Sequence, residues 1–157
     1  MRKTASSSRS TTSKSTPTIL PSVAVRRAFK AAVEARKAAH APYSKFRVGA
    51  GLLTTTGKIF AGCNVENCSY GGTICAERTA IVKAVSEGET EFTDIVVVTD
   101  ANEPAFPCGF CLQVMAEFFT DDTWIWIANT RGFKSVHSFR ELVPKPFGPR
   151  QLNGTNK

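Results

Sequence analysis

Residues 75–99 read CAERTAIVKAVSEGETEFTDIVVVT. A helix is predicted over Cys75–Glu87, ended by Gly88, and Asp94–Thr99 is a β-branched run of the kind found in a buried strand. The same alternation repeats downstream, with a helix over Gly109–Phe119, a strand over Thr123–Ala128 and a short final strand over Phe133–Val136. From Pro144 onward the sequence reads as irregular. Upstream, a helix is expected over residues 22–40. Ser22 can cap it, Val25, Phe29, Ala32 and Val33 form an apolar stripe, and Ala41-Pro42 stops it. Arg36 interrupts the stripe, although its aliphatic stem can cover apolar surface. Arg47–Leu53 and Lys58–Cys63 read as two strands joined by a turn over Thr54–Gly57. The resulting order of helices and strands points to one mixed sheet with helices packed on its faces, an α/β fold.

Composition sets the limits. With 157 residues, 42% hydrophobic and 21% charged, the chain suits one globular domain with a sizeable core. No apolar run approaches the ~18–20 residues needed to span a bilayer, and no secretion-signal core is evident, so no membrane partner is expected. The net charge of +7 suggests nucleic acid at first sight. Seven basic residues and no acid lie within the first 33 positions, and the remainder carries 13 basic and 13 acidic residues. The basic character belongs to the N-terminal end. Residues 1–18, almost all Ser, Thr, Lys, Arg and Pro, are expected to be a disordered basic tail. The domain is expected over 19–150, with a flexible C-terminal tail over 151–157. An organelle transit peptide is the alternative reading of the first segment, and a cytoplasmic location is the main one.

Five cysteines, an odd number, argue against a disulfide framework and for thiols that are free or metal-bound. Cys108 and Cys111 are three apart at the start of a predicted helix, so both can face one point. Cys75 starts another helix, and the partial positive charge of both helix N-termini favours thiolates. Three ligands leave a fourth position for water, the pattern of a catalytic zinc site, with Glu77 placed beside it as a general acid/base. Arg78 is the natural group to offset the formal negative charge of three thiolates on Zn²⁺. A Cys-x-x-Cys alone could be a redox pair, and Cys63 or Cys68 could close a structural four-cysteine site.

Four separated motifs then carry a resemblance. They are Ala41-Pro42-Tyr43-Ser44-Lys45-Phe46-Arg47-Val48-Gly49-Ala50, Gly62-Cys63-Asn64-Val65-Glu66-Asn67-Cys68-Ser69-Tyr70, Cys75-Ala76-Glu77-Arg78, and Pro107-Cys108-Gly109-Phe110-Cys111-Leu112-Gln113. Together with Leu142-Val143-Pro144 and Phe147 they resemble the small, homotetrameric, zinc-dependent cytidine deaminases. The resemblance implies a three-layer α/β/α sandwich around a mixed five-stranded sheet. It implies one Zn²⁺ per chain on Cys75, Cys108 and Cys111, with Glu77 as proton shuttle. Asn64 and Glu66 would hold the ribose 3′-hydroxyl, Phe46 would stack on the pyrimidine, and the main chain at Ala76 would meet the base. Tyr70 and Phe147 would reach a site shared with another subunit of a homotetramer.

The implied activity is hydrolytic deamination of free cytidine and deoxycytidine to uridine and deoxyuridine plus ammonia, in pyrimidine salvage. Deamination of a nucleoside antibiotic, or of RNA or single-stranded DNA, and a non-catalytic nucleoside-binding zinc module are the alternatives. The body of the chain lacks the interleaved basic and aromatic surface that nucleic acid requires. Leu112 and Cys68 depart from the family pattern, which commonly has Arg and Ala there.

Overall fold

The structure, a computed structural model, describes residues 19–103 and 105–152; the N-terminal segment 1–18 and residues 153–157 lie outside them. The first helix, α1 (Val23–Lys37), starts where Ser22 accepts a hydrogen bond from the Val25 amide at 3.2 Å. Arg36 and Lys37 in its last turn complement the helix dipole. It ends three residues short of the predicted position because the backbone of His40 is recruited elsewhere. The His40 amide donates to the Asn64 carbonyl (3.0 Å) and its carbonyl accepts from the Glu66 amide (2.8 Å).

Strand β1 (Gly49–Thr54) pairs antiparallel with β2 (Ile59–Cys63). Helix α2 (Ala76–Ser86) crosses to β3 (Phe92–Thr99), which pairs antiparallel with the other side of β1. Helix α3 (Gly109–Phe118) then supplies the crossover that a parallel pair requires, and β4 (Trp124–Asn129) runs parallel to β3. Strand β5 (Gly132–Ser138) closes the far edge antiparallel to β4. The sheet order is β2-β1-β3-β4-β5, a mixed five-stranded sheet as the sequence implies.

Two short helices, α4 (Phe139–Leu142) and α5 (Pro149–Leu152), were not expected. The first carries a reciprocal capping box between Ser138 and Glu141. The second falls in the stretch read as irregular and runs across the expected domain end at residue 150. Strand β5 extends beyond Phe133–Val136 because its backbone pairs with β4 over its whole length although its side chains are largely polar.

Each face of the sheet carries its own core, giving the three layers. On one face Ala50, Leu52, Ile95, Val97, Ile125 and Ile127 meet α2 and α3 through Ala80, Ile81, Ala84, Cys111 and Met115. On the other, Val96, Val98, Trp126 and Ala128 meet Val25, Ala28 and Ala32 of α1. Burial of each large aliphatic side chain here stabilises by ~1.5–3 kcal/mol.

Gly49 and Gly51 set the height of α1 above the sheet. A Cβ on either would lie about 2 Å from a helix carbonyl, that of Ala32 (2.0 Å) or Ala28 (2.2 Å). The stem of Arg36 does cover this seam. Its Nε donates to the Arg47 carbonyl at 3.0 Å and its guanidinium pairs with Asp100.

Candidate active site

Helix α2 crosses one face of the sheet and α3 packs beside it, so that two N-termini converge near the end of β3. Cys75 is the N-cap of α2 and Cys108 the N-cap of α3, both with extended backbone and no side-chain capping bond. Their sulfurs are therefore free to point into the gap between the helices. Cys111, one turn into α3, is fully buried on the same side. The three Sγ atoms lie within 4.8 Å of one another, with Cys75 to Cys108 at 3.8 Å and Cys108 to Cys111 at 3.6 Å.

Three thiols this close perturb one another. The Cys111 thiol, hydrogen-bonding to Cys75, together with the Arg78 guanidinium, draws Cys75 down to about 5. The same hydrogen bond, burial and the nearby Glu77 carboxylate push Cys111 up. A thiolate at Cys75 is thus readily formed and a second at Cys111 is opposed, a conflict that a divalent cation relieves. The donor set suits zinc, which favours thiolates at tetrahedral spacing.

Arg78 is where the charge argument places it. Its Nη2 donates to the Thr73 carbonyl (2.8 Å) and reaches Cys75 Sγ (3.7 Å), and the guanidinium lies 5.8 Å from the centre of the Phe110 ring. Its Nε is buried without a hydrogen-bond partner among the described residues.

Glu77 sits in the first turn of α2 and is only 5% exposed. Burial raises its carboxyl to about 6, and the adjacent Cys75 adds to the shift. Such a group is poised to gain and lose a proton near neutral pH.

Glu77, Cys75 and Cys108 form the floor of a cavity of about 260 Å³, with Val97 and Thr99 from β3. Phe46, Val48, Asn64 and Glu66 line it from the segments before β1 and after β2, and Ala105 and Phe106 from the loop before α3. The cavity therefore brings together six of the residues singled out from sequence. Ala76, at the first helical position beside them, is fully buried. Glu66 and Ser44 also line a second cavity of about 430 Å³ with Tyr43, Tyr70 and Thr73.

Two expected residues stand apart from this chain's own cavity. Tyr70 is 76% exposed and meets Tyr43 edge-on at 6.0 Å. Phe147 is 57% exposed, and its carbonyl accepts from the Gln113 side chain at 2.8 Å. Asn64 lines the cavity, but its amide is also a splint. Oδ1 accepts from the Val48 amide and Nδ2 donates to the Phe46 carbonyl, both at 2.8 Å. Leu112, where the related pattern has Arg, packs against the core, and Cys68 is exposed on the loop before Tyr70.

Reading the sequence assigned no role to Ser44, Phe106 or Phe110. Ser44 sits inside a quoted motif, and the two phenylalanines flank Pro107-Cys108-Gly109, so position in the motif was the available signal.

A family model described as the cytidine and deoxycytidylate deaminase zinc-binding region matches residues 23–127. A cytidine deaminase of Halalkalibacterium halodurans is 46% identical over 124 residues, covering 79% of this chain and 94% of that protein. A probable cytidine deaminase of Dictyostelium discoideum is 49% identical over 123 residues, covering 78% and 82% respectively. The crystal structure of cytidine deaminase from Burkholderia pseudomallei superposes with a TM-score of 0.74 at 44% identity, covering 78% of this chain and 98% of that one.

Proposed function

The chain belongs to the cytidine and deoxycytidylate deaminase family, and on that premise we propose that it hydrolyses the 4-amino group of free cytidine and deoxycytidine, yielding uridine or deoxyuridine and ammonia. The observation that carries this reading is Glu77: a carboxyl 5% exposed, raised to about 6, on the floor of a cavity beside three clustered thiols. A binding module has no use for a buried proton carrier at that place.

Cys75, Cys108 and Cys111 would hold one zinc ion, which when bound makes water a competent nucleophile near neutral pH. Arg78 offsets the excess negative charge of the thiolates from the outer side. The Glu77 carboxylate takes a proton from the attacking water and delivers it to ring N3 while the oxygen bonds to C4. It then carries a second proton to the amino group, and the C4–N bond breaks with release of ammonia. The Ala76 main chain contacts the base, and Phe46, 41% exposed at the cavity mouth, stacks on it.

Asn64 and Glu66 take the ribose 3′-hydroxyl. Glu66 is held well below the usual carboxylate range, first by the Ser44 hydroxyl and then by the Tyr43 and Ser44 amides. A permanent anion there favours a free hydroxyl over a phosphate. Among the described residues lining the two cavities none is Lys or Arg, which weighs against a polynucleotide substrate.

Tyr70, Phe110 and Phe147, all large, aromatic and exposed, suit burial by further copies in a homotetramer with shared sites. No described helix is long and apolar enough to cross a membrane, and three reduced thiols suit a cytoplasmic location. The test is incubation with cytidine while the cytosine absorbance and ammonia are followed, with metal analysis and light scattering in parallel. Turnover with one zinc per chain in a tetramer is the expected result. A stable absorbance with zinc-loaded protein would refute the activity.

A further inference from the structure

Ala41 to Phe46 forms a turn beside the cavity, and its shape is unusual at one residue. Lys45 has φ +59°, the one described non-glycine residue in the left-handed region. Such a conformation persists where surrounding bonds hold it. Here the bonds converge on Ser44.

The Ser44 hydroxyl accepts from the Phe46 amide at 3.0 Å, bridging across Lys45, and donates to Glu66 Oε1. The polarity is fixed by chemistry. An amide N–H can only donate and an ionised carboxylate can only accept, so the hydroxyl proton points to Glu66. Glu66 Oε2 meanwhile accepts from the amides of Tyr43 (2.8 Å) and Ser44 (3.3 Å). One carboxylate, 22 residues along the chain, thus grips the turn at three donors, and the hydroxyl passes that grip to the backbone of Phe46. From the other side the Asn64 amide holds the Phe46 carbonyl and the Val48 amide. Ser44, Phe46 and Glu66 all line the cavity that holds Glu77.

We propose that Ser44 is a positioning residue for nucleoside recognition, coupling the Glu66 carboxylate to the Phe46 backbone so that sugar-binding and base-stacking groups are set together. The inference rests on the nucleoside deaminase reading given above. It assigns Ser44 no part in proton transfer, since the residue acts on binding and not on C4. Ser44 is exposed and lines the cavity, so its loss should act on how the cavity receives a ligand.

Ser44→Ala removes both bonds at once. KM for cytidine should rise about ten-fold, the factor that ~1.4 kcal/mol makes in an equilibrium constant, with kcat changed less than about three-fold. Zinc content and Tm should match the parent protein. Ser44→Thr, which keeps the hydroxyl, should restore KM. In a Glu66→Gln background, Ser44→Ala should add much less than its single effect, because the carboxylate end of the relay is already gone.

A second measurement is independent of turnover. Amide hydrogen exchange at Phe46 should quicken in Ser44→Ala and stay slow in Ser44→Thr. Parent protein that turns over cytidine, with unchanged KM in Ser44→Ala, overturns the coupling and leaves the deaminase reading intact. Parent protein without turnover refutes the activity, and unchanged Phe46 exchange in Ser44→Ala then refutes the positioning role by itself. A fall in kcat equal to the rise in KM, or failure of Ser44→Thr to restore KM, would also overturn it.

Discussion

The two ends of the cavity are built in different ways. At the thiol end, Cys75, Glu77, Cys108 and Cys111 ride on the first turns of two helices packed against the sheet, and Glu77 and Cys111 are buried. At the opposite end, Ser44, Phe46 and Glu66 sit on irregular chain held by side-chain-to-backbone hydrogen bonds, and Ser44 and Phe46 are exposed. On the proposed function, regular structure fixes the groups that would handle protons and metal, whose tolerance for misplacement is small. Local hydrogen bonds fix the groups proposed to recognise the ligand. Damage at the first end should therefore appear in metal content or kcat, and damage at the second in KM.

The sharpest challenge to that division is Cys108→Ala. Loss of one of three thiols should empty the metal site and reduce turnover to background, with zinc measured by elemental analysis. Retained zinc and activity would mean that the helix N-termini do not form the metal site. Next, Glu77→Gln should keep its zinc and fold while kcat falls by roughly three to four orders of magnitude. Loss of zinc in that variant would move Glu77 from proton carrier to ligand.

Arg78→Gln should lower kcat by roughly ten- to a hundred-fold, as expected for ~1.5–3 kcal/mol of charge-assisted bonding, with a smaller change in KM. Leu112, partly buried against the core where the related pattern has Arg, supplies no replacement cation. A normal kcat would show that the helix ends alone balance the thiolates.

The recognition end should respond more gently. Phe46→Leu keeps apolar bulk but loses the aromatic face, so KM should rise about two- to ten-fold with kcat nearly unchanged. A dominant kcat loss there would erase the distinction between the two ends. The smallest effect is expected of residues 1–18, a segment whose composition is that expected of a tail. Their deletion should leave kcat and KM within about two-fold. A larger change would bring that segment into the site.

The same contrast explains what was legible in the sequence. The thiol end is local: Cys108 and Cys111 are separated by one helical turn, and Glu77 follows Cys75 by two residues, so residue type and spacing suffice. The layers were legible too, because Asp94–Thr99 reads as a buried strand and Thr123–Ala128 as another strand without reference to anything distant. The start of β3 at Phe92 was not, since it depends on pairing with Thr54 across an irregular register.

The end of α1 was misjudged because the competitor for the His40 backbone is the segment around Asn64. The grip of Glu66 on Ser44 spans 22 residues, and the Ser44–Phe46 bond beside it bridges a left-handed Lys45, neither of which any periodicity announces. Helix α4 is a different matter. Its Ser138-x-x-Glu141 box is a purely local signal, four residues long and overshadowed by the longer elements around it.

The seam between α1 and β1 has a consequence for how this protein tolerates change. Most of its interior is side chain against side chain, where one aliphatic group can give way to another of similar volume. At Gly49 and Gly51 the helix carbonyls of Ala32 and Ala28 stand where a side chain would begin. No rotamer or neighbouring truncation creates room there, because the obstacle is main chain. A randomised library of this domain should thus recover varied residues at Val25, Val96 and Val98, and glycine alone at 49 and 51. Two positions with no side chain at all would be the least negotiable in that half of the molecule.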